Sequence, residues 1–102
     1  MTLKPGSRWS SAVCNAEVVV VRPAKEPVVL ECGGQPMLAL GEAKPVGLTP
    51  APDRADGVHV GKRYFDAETG IEVLGSKAGA GSLSVGGRLL ARKDAKALPA
   101  SD

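Results

Sequence analysis

The chain has 102 residues, of which 43% are hydrophobic, and this predicts one folded domain with a single modest core. The 13 basic and 11 acidic side chains nearly balance, at a net charge of +2. No run of like charge is interleaved with aromatic residues, so the composition disfavours nucleic-acid binding. Glycine (13) and proline (8) are frequent, and aromatic residues are only 3% of the chain, which favours short strands joined by turns over long helices.

The N-terminal residues and the apolar runs bear on location. The first thirteen residues include Lys4 and Arg8 but no apolar stretch that would mark a signal peptide. No apolar run approaches the roughly 20 residues that a membrane span needs. We therefore expect a cytoplasmic protein with no membrane partner. In that compartment, reduced thiols or a metal site are more common than a structural disulfide.

Two strands are predicted early in the chain. Residues 17–22 are rich in valine, a β-branched residue typical of strands, and residues 28–31 are interpreted as the return strand. The turn between them, residues 23–27, contains two prolines, which lack the backbone donor that a strand ladder uses. We interpret the region as a β-hairpin. A third short strand is expected at residues 37–40.

The register of this hairpin decides where the two cysteines of the chain lie. If the turn is symmetric, Val21 pairs with Val28, and Glu17 lies opposite Cys32. Cys14 is then just beyond the end of its strand, so the two sulfurs come within reach of one centre. A single bulge in either strand would change this register.

The second half of the chain is predicted to contain further hairpins. Residues 41–57 hold three prolines and are interpreted as a long irregular loop within the domain. Strands at residues 58–65 and 71–74 flank a turn with an acidic residue at its start and a glycine at its end. A last hairpin turns at Gly86-Gly87.

The predicted fold is all-β: a small sandwich or open barrel of short antiparallel hairpins. The whole chain is expected to form one domain. Its parts are an N-terminal hairpin region, an irregular loop, the C-terminal hairpins and a polar tail, at residues 1–40, 41–57, 58–92 and 93–102.

Two cysteine-containing segments carry a resemblance to a known family, and they are Cys14-Asn15-Ala16-Glu17 and Cys32-Gly33-Gly34-Gln35-Pro36-Met37. With the valine-rich stretch between them, they are similar to the cysteine knuckles of desulforedoxin and of the N-terminal domain of desulfoferrodoxin. The resemblance covers residues 9–40 and implies a rubredoxin-like metal knuckle. That family holds one iron with four cysteines. Glu17 and Gly33 stand here at the positions of the second cysteine of each knuckle, so two of four cysteines are kept, and one chain cannot form a four-cysteine site.

Four states of the cysteine pair are open on this evidence. Cys14 and Cys32 can be packed free thiols. They can hold Zn or Fe together with Glu17, or with His59 arriving from the second hairpin. Two chains can pool four cysteines across a homodimer interface, or the pair can form a disulfide. For His59 itself, a surface or half-buried position in a strand is the alternative to a ligand role.

Three functions are considered. The first is a small non-enzymatic accessory module that docks to a protein partner or to a second copy of itself. The second is a Zn- or Fe-binding or redox protein that uses Cys14 and Cys32. The third is a thiol-dependent enzyme in which Cys32 reacts beside the backbone amides of Gly33 and Gly34.

Residues 77–82 do not match a phosphate-binding loop, but their glycines leave backbone amides open to the close approach of a ligand.

Overall fold

A computed structural model describes residues 3–93 of the chain and confirms the predicted all-β class. The described residues form ten short strands in two antiparallel sheets. The strands are β1 (Arg8–Ser10), β2 (Glu17–Arg22), β3 (Leu30–Cys32), β4 (Gln35–Pro36), β5 (Leu38–Ala39), β6 (Arg63–Phe65), β7 (Glu72–Lys77), β8 (Leu83–Val85), β9 (Arg88–Leu89) and β10 (Ala91–Lys93).

The larger sheet has six strands in the order β10-β6-β7-β2-β1-β5, and the smaller sheet has four in the order β4-β3-β8-β9. The valine-rich β2 lies inside the larger sheet, between β1 and β7. Its Val18 and Val20 are buried, while Val19 is only half-buried. This alternation follows from the two-residue period of a strand, which turns every second side chain towards the core.

The N-terminal hairpin predicted over residues 1–40 does not form. β2 pairs with β1 and β7, whereas β3 pairs with β4 and β8 in the other sheet, so the predicted pairing of Val21 with Val28 is wrong. The two prolines of the intervening turn, Pro23 and Pro27, lack backbone donors and interrupt any ladder there. The six-residue β7 offers β2 a longer partner instead. Residues 23–29 therefore carry the chain from one sheet to the other.

The predictions for the second half are closer to the structure. β6–β7 and β8–β9 are antiparallel hairpins, and residues 41–57 are irregular apart from a short 3₁₀ turn at Pro52–Arg54. The strand predicted over residues 58–65 begins only at Arg63, and Val58 forms an isolated bridge with Gly79. The predicted third strand at residues 37–40 is the two-residue β5. In the predicted tail, Lys93 ends β10, and residues 94–102 lie outside the described part of the chain.

One hydrophobic cluster joins the two sheets. It includes Val18 and Val73 from the larger sheet and Leu30, Cys32 and Val85 from the smaller one. Cys14 packs against the edge of this cluster. One cysteine is therefore a core residue and the other borders the core, which sets the exposure of each sulfur.

Between residues 3 and 93 there is no helix with the length and apolarity to cross a membrane.

Candidate functional site

The structure brings the two cysteines together. Cys14 lies in the loop between β1 and β2, and Cys32 is the last residue of β3. Their Sγ atoms are 3.9 Å apart, and both cysteines are free thiols. The predicted proximity is thus confirmed, although the hairpin from which it was inferred is absent. The β1–β2 loop of the larger sheet meets the end of β3 in the smaller sheet, so the pair lies where the two sheets adjoin.

Ser11 shapes the loop that carries Cys14. Its backbone N–H donates to the carbonyl oxygen of Ala16 (2.9 Å), which closes the loop at its base. Its Oγ accepts hydrogen bonds from the backbone amides of Val13 and Cys14, each at 3.1 Å. Because that oxygen already accepts two bonds and the residue is fully buried, its hydroxyl hydrogen is directed to an acceptor inside the site. The two cysteine sulfurs are such acceptors, and hydrogen bonding to Ser11 lowers the pKa of both thiols.

Gly81 approaches the pair from the loop between β7 and β8. Its backbone N–H donates to the Sγ of Cys14 at 3.4 Å. A Cβ atom at this position would lie 2.9 Å from the Sγ of Cys32 and 2.9 Å from the backbone nitrogen of Gly33. Only a glycine therefore fits here without displacing the site. The close approach expected of the glycines in residues 77–82 is made to a cysteine sulfur of the same chain, so the amide of Gly81 is occupied and not open to a ligand.

The two thiols have opposite pKa shifts. Burial acts to raise the pKa of Cys14, but hydrogen bonds to Ser11, to Ala16 and to the amide of Gly81 outweigh it, so that pKa is lowered. Burial raises the pKa of Cys32 to about 12, and the neighbouring Cys14 adds to that rise. Two thiols this close share their titration, and the first negative charge resides on Cys14.

Exposure follows the same division. Cys14 is partly exposed, whereas Cys32 is 0% exposed. A reagent in solution therefore meets the sulfur of Cys14 first. The amide of Gly33 is already engaged, because it donates to the carbonyl oxygen of Ser82 at 2.9 Å. Burial thus disfavours the thiolate of Cys32, and one of the two amides of the predicted enzyme, that of Gly33, is occupied. The use of Cys32 with the amides of Gly33 and Gly34 by an enzyme stays a prediction.

A segment of the irregular loop lies against the pair. Lys44 Nζ donates to the carbonyl oxygen of Cys14 at 2.7 Å. Seven residues later, the amide of Ala51 donates to the carbonyl oxygen of Gly33 at 3.0 Å. The segment is thus fixed on the Cys14 side by a side chain and on the Cys32 side by the backbone. The positive charge of Lys44 also acts on Cys32, whose pKa it lowers against the larger effect of burial.

The other two predicted ligands do not join the cysteines. Glu17 forms an ion pair with Lys77, with 3.7 Å between Oε2 and Nζ. His59 donates its backbone N–H to the Oη of Tyr64 at 2.9 Å and lines a different cavity of about 300 Å³. No group of three or more His, Cys, Asp or Glu side chains suited to a metal ion exists within residues 3–93. The predicted four-residue metal set is therefore not assembled in one chain, and metal binding by the cysteine pair stays a prediction.

Three residues of the site were not predicted from the sequence: Ser11, Lys44 and Gly81. Ser11 left a local signal, because serine side chains commonly accept hydrogen bonds from the backbone amides two or three residues later and so form turns. Lys44 left none, and the glycines of residues 77–82 indicated a close approach without its partner, because the contacts of Lys44 and Gly81 with Cys14 span 30 and 67 residues of chain. Comparisons with protein-family models, with curated proteins and with solved structures gave no match to this chain.

Proposed function

We propose that this protein is a small accessory module whose Cys14–Cys32 pair interconverts between a dithiol and a disulfide. The observation that carries the proposal is the asymmetry of the pair. Two sulfurs lie 3.9 Å apart, and one of them is partly exposed and hydrogen-bonded while the other is buried. A thiolate is the form of cysteine that attacks a disulfide, and hydrogen-bond donors around Cys14 favour that form.

The exchange proceeds in two steps with a disulfide R–S–S–R as the oxidant. The Cys14 thiolate attacks one sulfur, the S–S bond breaks, and one RS⁻ leaves and takes a proton from solvent. Cys32 then loses its proton to solvent and attacks the Cys14 sulfur, which expels the second RS⁻. The protein has lost two electrons and two protons, and the substrate has become two thiols. A disulfide requires an S–S distance of about 2.05 Å, so the partly exposed Cys14 side chain must rotate towards Cys32.

The same distance also fits a metal, but burial favours thiol exchange over metal binding. Two sulfurs bound to one tetrahedral zinc at about 2.3 Å each are about 3.8 Å apart. The pair lacks a third ligand among the described residues, and Cys32 is fully buried. A second chain that pooled its cysteines would have to reach a metal held at that buried sulfur. Thiol exchange needs only Cys14 to be accessible, so the geometry favours it.

The test is a redox titration of the untagged full chain in mixtures of reduced and oxidised dithiothreitol. Intact mass should fall by two hydrogen atoms per chain in a single two-electron transition. Cys14→Ser and Cys32→Ser should each abolish that loss, while Ser76→Ala, at an exposed position, should leave the midpoint unchanged. Elemental analysis of the same sample is the second readout. Stoichiometric Zn or Fe with both thiols protected, or disulfide-linked dimers in place of an internal bond, would overturn the proposal.

Docking through an apolar surface is a second candidate function, and a specific observation favours it. Leu40, Val46 and Leu48 lie within nine residues and expose 45%, 97% and 40% of their surface. Apolar side chains exposed along one short segment gain free energy when a partner buries them. If they meet a second copy of the chain, sedimentation equilibrium should detect a dimer that Val46→Ser weakens. A monomer at every accessible concentration would exclude self-docking.

A further inference from the structure

We infer that the disulfides which react at Cys14 are anionic, that is, small disulfides whose halves carry an excess of carboxylate. The inference rests on the proposed thiol exchange and names the substrate class of that same site. It is carried by the position of Lys44, whose ammonium group donates to the carbonyl oxygen of Cys14 at 2.7 Å. Because this hydrogen bond is made to the carbonyl of Cys14 itself, Lys44 Nζ lies within about 7 Å of the Cys14 sulfur.

The chain on either side of Lys44 holds it at the thiol pair. The segment is fixed again at Ala51, whose amide donates to the carbonyl oxygen of Gly33 at 3.0 Å. Pro50 packs on Gly33 as well, because a Cβ built on that glycine would lie 3.2 Å from the Pro50 Cα. Lys44 is thus the charged end of a segment that borders both cysteines. Its ammonium group therefore lies on the Cys14 side of the pair, within about 7 Å of the sulfur that reacts first.

No carboxylate of residues 3–93 forms an ion pair with Lys44. The acidic residues nearest in sequence to the site have other partners. Glu42 accepts the backbone N–H of Ala39 at 2.7 Å, and Glu17 pairs with Lys77. Glu31, beside Cys32, accepts the hydroxyl of Ser84 at 3.2 Å. The positive charge of Lys44 therefore remains available to a carboxylate of the substrate.

The size of the rate change follows from the distance between the Lys44 ammonium group and a charge on the substrate bound at Cys14, taken as about 7 Å. Two unit charges about 7 Å apart in water change a rate by about threefold at low salt. A substrate half with one net negative charge should thus react about ninefold faster, relative to its intrinsic reactivity, than a half with one positive charge. Added salt should reduce this difference, because the Debye length falls from about 30 Å at 0.01 M to about 3 Å at 1 M.

The test compares three probes with the reduced full-length protein: oxidised glutathione (negative halves), 2-hydroxyethyl disulfide (neutral) and cystamine (positive). Formation of the internal disulfide is followed by mass spectrometry. Lys44→Gln should slow the reaction with oxidised glutathione about threefold, speed that with cystamine about threefold and leave the neutral probe unchanged. Lys44→Arg should restore the wild-type pattern. Lys25→Gln is the matched control, since Lys25 packs on Gly70 in the β6–β7 turn.

The outcomes separate this inference from the function on which it rests. Reaction with all three probes at ratios that Lys44→Gln does not change would refute charge selection and leave thiol exchange intact. An equal slowing of all three probes in Lys44→Gln would mean that Lys44 acts by positioning the loop, and it would also refute charge selection. A protein that forms no internal disulfide with any probe would refute the proposed function, and the inference with it.

Discussion

The division of roles between the two thiols makes a quantitative prediction for single-cysteine variants. Cys14→Ser leaves Cys32 as the only thiol, and Cys32→Ser leaves Cys14. We expect the folded Cys14→Ser protein to react with an aromatic disulfide reagent at least about 30-fold more slowly, at neutral pH, than a thiol of ordinary pKa does. We expect the folded Cys32→Ser protein to react at least as fast as such a thiol.

The magnitude comes from the pKa of Cys32. That pKa is raised from 9.0 to about 12, so the thiolate fraction at neutral pH falls about a thousandfold. A more basic thiolate is also a better nucleophile, with a Brønsted slope of about 0.4–0.5, and this offsets about 15- to 30-fold of the loss. The remaining factor is about 30 to 60. Removing the Cys14 charge reduces that factor, and the complete burial of Cys32 increases it.

The assay is stopped-flow absorbance of the released aromatic thiolate, repeated across pH. The midpoint of the rate profile for the lone Cys14 should lie at a lower pH than that of an ordinary thiol, because hydrogen bonds to Ser11 and to the Ala16 and Gly81 amides lower its pKa in spite of burial. The rate for the lone Cys32 should still rise above that pH. Both variants in denaturant should react alike, which controls for the reagent. Equal rates in the folded variants would refute the assigned roles.

Two further variants test the framework around the site. A hydrogen bond from Arg88, helped by Thr69, lowers the pKa of Asp66 to about 2 from 3.8, so its stabilisation is complete above about pH 4 and is lost as the pH falls towards 2. Asp66→Asn removes this ion pair and should lower the free energy of unfolding at pH 7 by about 1–2 kcal/mol, a modest loss because the Arg88 guanidinium is partly solvated. In urea unfolding, the variant should also lose less stability than the wild type between about pH 4 and pH 2. An unchanged dependence on pH would contradict this. Gly81→Ala should lower the free energy of unfolding by about 1–3 kcal/mol, because the added methyl group meets the Cys32 sulfur and a backbone nitrogen. The control Ala80→Ser, at an exposed position, should change it little, and equal stability of the two variants would refute the close packing at Gly81.

The local secondary structure, that is, single strands and tight turns, could be predicted well from the sequence. The valine run became β2, and the turns at Asp66–Gly70 and Gly86-Gly87 close hairpins as expected, because β-branched residues and turn formers act over a few residues. The all-β class followed from these signals together. The same locality explains why a serine three residues before Cys14 left a trace in the sequence that could have been used.

Partner choice could not be predicted in the same way. The valine run pairs on one side with β1, its neighbour in sequence, but on the other side it pairs with β7, some 55 residues away, and not with the predicted return strand. β7 offers six residues, whereas two prolines separate β2 from residues 28–31. The cysteine pair was found through a register that does not exist, and the sulfurs meet because the β1–β2 loop and the end of β3 adjoin where the two sheets meet. Lys44 and Gly81 reach the pair through that same long-range arrangement.

The two ends of the irregular loop differ in how they are held, and this has a practical consequence for engineering. The stretch around the 3₁₀ turn is tied to both halves of the smaller sheet, because Ala51 bonds to Gly33 and the Arg54 carbonyl accepts the amide of Ser82. Gly47, by contrast, has no heavy atom within 4 Å of the position where a side chain would begin. Gly47 itself has a φ of +84°, which strains any L side chain, whereas the adjacent Val46 exposes 97% of its surface. A fluorescent amino acid placed at Val46 would therefore report on the loop two residues from Lys44 and leave the backbone bonds of Ala51 and Arg54 untouched.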